Sequence, residues 1–197
     1  MQYHFYQWRD NGLFDLINEA LVMACRILEG RAPEPTAGVI DSQSVKTTEA
    51  GGPRGFDAGK KIKGRKRHIV TDTAGNMLEG IVHEAGIQDR DGAPGLIQTT
   101  RESYPTLARV FADGGYAGKK LEAAIAHITD LALEIVKRPE GVKGFVLVAK
   151  RWVVERTFAW LNRCRRLAKD WELSIASFEA WLLIASIRRS TRRIANA

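Results

Sequence analysis

The sequence predicts an α/β fold in which a mixed sheet is flanked by helices, and three observations carry that prediction. "KRHIVTDTAGNMLEGIVHEAG" (66–86) alternates apolar and polar residues on both sides of a turn signal, the pattern of a β-hairpin. "TLARVFADGGYAG" (106–118) and "LALEIVKR" (131–138) are short apolar runs separated by a helical pattern over 119–128. The element order is then β, β-hairpin, α, β, α, β, α, α. Hairpin strands beside crossover-connected strands imply a mixed sheet with helices on both faces.

Each element has its own signal. Residues 12–29 carry Leu13, Phe14, Ile17, Leu21, Ala24, Ile27 and Leu28, an apolar stripe at helical spacing. "EGRAPEPTAG" (29–38) breaks that pattern with prolines and glycines and reads as a connector. "GVIDSQSVK" (38–46) reads as a strand with Val39, Asp41, Gln43 and Val45 on one face and Ile40, Ser42 and Ser44 on the other. "KTTEAGGPRGFDAG" (46–59) reads as a mobile glycine-rich loop. Within the hairpin, Gly75 suits a positive φ. Residues 89–104 look helical after an acidic start. "FVLVAK" (145–150) is a short apolar run, a helix follows over about Arg151–Lys169, and a last helix over about Ser177–Arg193 has Ser177 as N-cap and Glu179 in its first turn. Domains divide as an N-terminal helical segment and linker (1–35) and a main domain (36–197).

Composition narrows the function classes. The net charge of +7 resides in residues 150–197, where 11 Lys/Arg meet 4 acids, while the first 149 residues balance. A basic end favours a polyanion, because neutralising phosphates releases counterions. No apolar run is long enough to span a membrane, no signal peptide opens the chain, and Cys25 and Cys164 lack a partner motif. These features point to a cytoplasmic setting.

The residues suited to chemistry are three acids. Asp41 interrupts a β-branched run, where an unpaired carboxylate is costly to bury. Asp113 ends an apolar strand just before Gly114-Gly115; such strand ends hold ligands in open α/β sheets, although Asp also caps turns there. Glu155 lies in "RWVVERTFAWLNRCRRLAKDWE", where Val153, Thr157, Trp160, Cys164 and Ala168 form one stripe and Arg151, Glu155, Asn162 and Arg166 lie opposite; an Arg151–Glu155 pair on a solvated face is the plainer reading. Together, two strand carboxylates and one helical one suit hard cations such as Mg²⁺, and paired ions suit in-line phosphoryl displacement. Asp57, Asp72, Asp89 and Asp91 are alternative acids, Asp72 fitting a turn and Asp89 and Asp91 a helix start. His68, His83 and His127 lack zinc-ligand spacing. Trp152, Trp160 and Trp181 are read as core residues. "GKKIKGRKRH" (59–68) holds Lys60, Lys61, Lys63, Arg65, Lys66 and Arg67, read as lining a DNA path.

The stretches "VIDSQSVKTTEAGGPRGFDAGKKIKGRKRHIVTDTAGN", "QDRDGA", "FADGGYAGKKL" and "RWVVERTFAWLNRCRRLAKDWE" resemble bacterial insertion-sequence transposases of the insertion-sequence-five type, of the DDE class. The resemblance implies an RNase H-like five-stranded mixed sheet of order 3-2-1-4-5. It implies Asp41, Asp113 and Glu155 as a triad binding two Mg²⁺ (or Mn²⁺) ions, with Arg151 alongside. It also implies DNA cleavage and strand transfer at insertion-sequence ends, double-stranded DNA of the ends and target as partner, a homo-oligomer on DNA and nucleoid association. Arg163, Arg165 and Arg166 are assigned to DNA. The family signature departs at Val148, where it has a tyrosine, and at Asn162, where it has a basic residue. Members usually begin with a further N-terminal segment, so this chain is read as the second frame of a two-frame element, a truncated remnant or a domain, with an upstream-frame segment as a partner in the first case. The rival readings are a nuclease of the same fold without strand transfer, and a truncated, non-catalytic DNA-binding inhibitor.

Overall fold

The computed structural model describes residues 2–136 and 151–197. Two helices, α1 (Gln2–Asp10) and α2 (Leu13–Leu28), precede β1 (Ala37–Lys46). Then come β2 (Gly55–Asp57), β3 (Ile62–Asp72), β4 (Met77–Glu84), α3 (Asp89–Ser103), β5 (Arg109–Ala112), a 3₁₀ turn (Gly114–Tyr116), α4 (Lys119–Ile125) and β6 (Ala132–Ile135). α5 (Arg151–Leu161), α6 (Arg165–Ala168) and α7 (Ile175–Ala195) complete the fold. The "FVLVAK" run and Val148 lie outside the described residues.

β1 is central. It pairs antiparallel with β3 and parallel with β5; β3 pairs with β4, and β5 runs parallel to β6. The order β4-β3-β1-β5-β6 is the 3-2-1-4-5 arrangement that the resemblance implied. A sixth strand, β2, pairs with residues 62–64 at the start of β3, whereas β4 takes residues 65–71. The glycine-rich loop is therefore partly ordered: the backbone of residues 55–57 pairs with residues 62–64.

The two faces of β1 separate as the alternation predicts. Val39 and Val45 join Ile69, Phe111, Val154, Phe158 and Phe178 in a core beneath α5 and α7. Ile40 joins Val70, Val110, Leu96 and Tyr116 beneath α3 and α4. The hairpin turn is also as read: Gly75 has φ +87°, and Asp72 accepts hydrogen bonds from the amides of Ala74 and Asn76.

Four local expectations are corrected. In α2 the buried face is Phe14, Asn18, Val22, Cys25 and Arg26, while Ile17, Ile27 and Leu28 are exposed. Polar groups occupy that face because Asn18 donates to the Met77 carbonyl and Arg26 pairs with Asp72 at 2.7 Å, so hydrophobicity alone misplaced the stripe. The long helix from Arg151 breaks after Leu161, and its inward residues are Val153, Val154, Thr157, Phe158 and Leu161, with Ala168 exposed. The last helix is capped three residues earlier than expected: the Ser174 hydroxyl accepts from the Ser177 amide. Trp152 is exposed and Trp160 and Trp181 are only half-buried, because each carries an arginine on its ring rather than core neighbours on all sides.

Central β3 is buried from Gly64 to Asp72 on both faces, basic residues included. Arg65 pairs with Asp170 at 2.7 Å, both side chains fully buried, and also donates to the carbonyls of Pro53 and Leu173. This pair ties the β2–β3 corner to the segment between α6 and α7. Burial drives the Asp170 carboxyl above its ordinary value even beside the guanidinium, so Asp170→Asn is the milder change. Arg65→Met, which strands both a carboxylate and several carbonyls, is expected to cost about 3–5 kcal/mol. Urea unfolding of the two variants checks this; equal losses would contradict the ranking.

Candidate active site

Asp41 sits in the middle of β1, half-buried, on the α5 side of the sheet. Parallel pairing sets its neighbour: Ala37 faces Arg109, Gly38 faces Val110 and Val39 faces Phe111. Two residues further along that register, Asp41 stands level with Asp113, the residue following β5. Asp113 keeps an extended backbone (φ −85°, ψ 178°), so it continues the strand before the chain turns. Its side chain accepts a 2.8 Å hydrogen bond from the Gly115 amide and caps the 3₁₀ turn. A Cβ on Gly115 would lie 2.9 Å from the Asp113 carboxylate, hence the glycine. The capping role and a position beside Asp41 coexist.

Tyr116, at the end of that turn, is fully buried. Burial, then the charges of Asp41, Asp89 and Asp113, hold its phenol well above the ordinary tyrosine value. Among the described residues, no three His, Cys, Asp or Glu side chains stand close enough together to hold a metal ion.

Asp89, read from sequence as a helix start, is more than that. It opens α3, and its carboxylate accepts from the Ser42 hydroxyl at 2.9 Å and from Lys66 at 2.8 Å, with His68 at 3.7 Å. Burial resists its ionisation, but His68, Lys66 and Ser42 outweigh burial and hold its carboxyl far below the usual range. Burial also pushes His68 down to about 4, so the imidazole is neutral. The signal for Asp89 was present, since it lies in the "QDRDGA" stretch, but helix-start acids are common enough to conceal it.

Glu155 is exposed on α5. Val154 and Phe158 of the same helix pack with Val39 and Phe111, which puts α5 on the Asp41 face of the sheet. Asn162, two turns after Glu155 on the same stripe, donates to Gln43 at 3.3 Å, and Gln43 is two residues beyond Asp41 on the same face of β1. Asn162 was expected opposite the inward stripe; instead it faces the sheet, and Arg67 bonds both it and Gln43. Arg151 opens α5, and its side chain lies outside what is described.

The basic tract divides. Lys60, Lys61 and Lys63 are exposed, and Lys60 reaches the Ser42 hydroxyl at 3.1 Å. Arg65, Lys66 and Arg67 are interior: Arg65 holds Asp170, Lys66 holds Asp89, and Arg67 donates to the Leu167 carbonyl at 3.0 Å. A central strand covered on both faces turns all its side chains inward, so these three do not form a solvent-facing row. Arg163, Arg165 and Arg166 are exposed, with Arg166 paired to Glu172 and lying 4.7 Å from the Trp181 ring centroid.

Comparison with known proteins follows this geometry. A stretch of 112 residues is 33% identical to a protein of Burkholderia cepacia named "Putative transposase for insertion sequence element IS402", covering 53% of this chain and 52% of that protein. The chain thus spans about half the length of the curated relative it matches. The catalytic domain of Mos1 mariner transposase is a distant likeness at 8% identity and a TM-score of 0.42, over 93% of this chain and 92% of that one. Residues 32–188 match the transposase DDE domain family, and with most of its length in that match the chain belongs to that family.

Proposed function

We propose that residues 36–197 form the catalytic domain of an insertion-sequence transposase that cuts DNA at the element's ends and joins them to a target, with Asp41, Asp113 and Glu155 as its acidic triad. The observation that carries this reading is the register that sets Asp41 level with Asp113 on adjacent parallel strands, in a chain of the transposase DDE domain family. Carboxylate oxygens are hard donors and fit Mg²⁺ or Mn²⁺. Bound between these residues, a pair of such ions would supply charge stabilisation and an activated oxygen for phosphodiester chemistry.

The chain's own residues do the positioning. Packing of Val154 and Phe158 against β1 sets the α5 side of the site, and the Asn162–Gln43 hydrogen bond holds the following turns in place. Lys60, Lys61 and Lys63, beside the start of β3, provide exposed cations for DNA phosphates. Asp89 stays ionised against burial and fixes Ser42, the residue after Asp41, together with Lys66. Catalysis of this kind is mainly orientation and electrostatics, with no covalent protein intermediate.

Three outcomes test the reading. Asp41→Asn or Asp113→Asn should lower Mg²⁺-dependent nicking of supercoiled DNA by more than the roughly 10–100-fold that loss of an outer-shell partner costs, while DNA binding persists. Nicking by Asp41→Asn at the wild-type rate would remove the assignment, and joining of a labelled element end to a target plasmid separates transposase from simple nuclease. Glu155→Gln should behave like the aspartate variants in the same assay. Asp89 has a depressed folded pKa, so its stabilising contribution is fully present above the unfolded value of about 3.9 and is lost only as pH falls further, through the folded value. Asp89→Asn should therefore be less stable than wild type at pH 7, and the gap should narrow under strong acid in thermal melts.

A further inference from the structure

Between the end of α5 and the C-terminal half of α7 lies a cavity of about 520 Å³. Trp160 and Arg163 line it from the α5 side, and Arg188, Arg189, Arg192 and Arg193 from α7. Among the described residues, no Asp or Glu side chain lines it. Positions 188 and 192, and 189 and 193, are one helical turn apart, a spacing at which like charges repel. Such crowding calls for a reason.

Part of the reason is structural. Arg189 donates to the Gly75 carbonyl in the hairpin turn, and its guanidinium lies 4.0 Å from the Trp160 ring centroid. Arg193 donates to Asn76 at 2.6 Å and pairs with Glu29. These two clamp the turn. Arg163, Arg188 and Arg192 have no such duty: all three are exposed, and among the described residues none of their guanidiniums makes a hydrogen bond or an ion pair. Three cations without a side-chain partner thus face a cavity that Arg189 and Arg193 also line.

The cavity's chemistry selects the ligand. Several guanidiniums spaced along α7 and facing Arg163 in the turn after α5 suit successive phosphates better than one small anion. Base reading is disfavoured, because the Trp160 ring already holds Arg156 at 4.5 Å and Arg189 at 4.0 Å, and a stacked base would have to displace one of them. We propose that this cavity is a DNA-binding site distinct from the Asp41–Asp113 pair, taking a stretch of phosphodiester backbone without regard to sequence. The proposal rests on the reading of the chain as a DNA-processing enzyme, and it adds where on the surface the second grip lies.

The test uses the full chain and labelled duplexes of two unrelated sequences, titrated across a salt series. Arg188→Gln/Arg192→Gln should weaken binding of both duplexes roughly tenfold at low salt and reduce the slope of log K against log salt by about 2, one unit per lost phosphate contact. Both side chains are exposed, so the melting temperature should hold; Arg163→Gln alone, on the other wall, should lower the slope by about 1. Unchanged affinity and slope in both variants would overturn the site, and a loss confined to one sequence would overturn the backbone assignment. If the arginine variants lose binding as stated but wild type and Asp41→Asn nick DNA equally, the site stands and the catalytic reading fails. A wild-type chain that binds neither duplex removes both.

Discussion

The parallel pairing of β1 with β5 is the constraint on which the candidate site depends. It joins strands separated by a hairpin and a helix, and its register offset is the same at all three paired positions. A one-residue slip would turn Asp41 toward α3 and put Ser42 on the α5 face, because strand side chains alternate. The register is fixed by burial on both sides. Val39 and Phe111 are locked into one core, and Ile40, Val110 and Ala112 into the other. The level of Asp41 and Asp113 is thus set by the apolar residues on either side of them in the strands. Exposed loops alone would not hold two carboxylates so firmly side by side.

Much of this was legible in the sequence, and the limits are instructive. Period-two alternation located β1 and its faces, the turn signal located the hairpin at Gly75, and the acids at strand positions stood out because a carboxylate there needs a cause. What alternation cannot show is which strand will be covered on both sides. Arg65, Lys66 and Arg67 read as a solvated or DNA-facing row, yet β3 lies between β1 and β4 under helices on each face. Their partners, Asp170, Asp89 and Asn162, are distant in sequence, so pairing was invisible locally. The same holds for α2, whose buried Asn18 and Arg26 answer to the Met77 carbonyl and Asp72. Asp89 was concealed differently: its local role as a first-turn acid is real and sufficient, so nothing in the chain advertised the second role beside Ser42.

These interior cations bear on the electrostatics of the acids. The charges of Asp41, Asp89 and Asp113 add to the burial that raises the Tyr116 phenol. Lys66, buried beneath Asp89, and Lys60, reaching Ser42, supply permanent positive charge at the rear of the cluster. Asp89 consequently remains an anion. Buried ion pairs contribute little net stability. Their use here is to set charge and position at the base of the site.

Helix α5 and the turn after it meet both regions. On one side Val154 and Phe158, followed by Asn162, are seated on the Asp41 face of β1. On the other, Trp160, followed by Arg163, forms a wall of the arginine-lined cavity with α7. The helix cannot tilt toward one without changing the other, because Thr157 is bonded to Gly75 at 2.9 Å and Arg189 grips the same carbonyl from α7. The hairpin turn, gripped by Thr157 from α5 and by Arg189 from α7, therefore ties the wall of the cavity to the helix that carries Glu155.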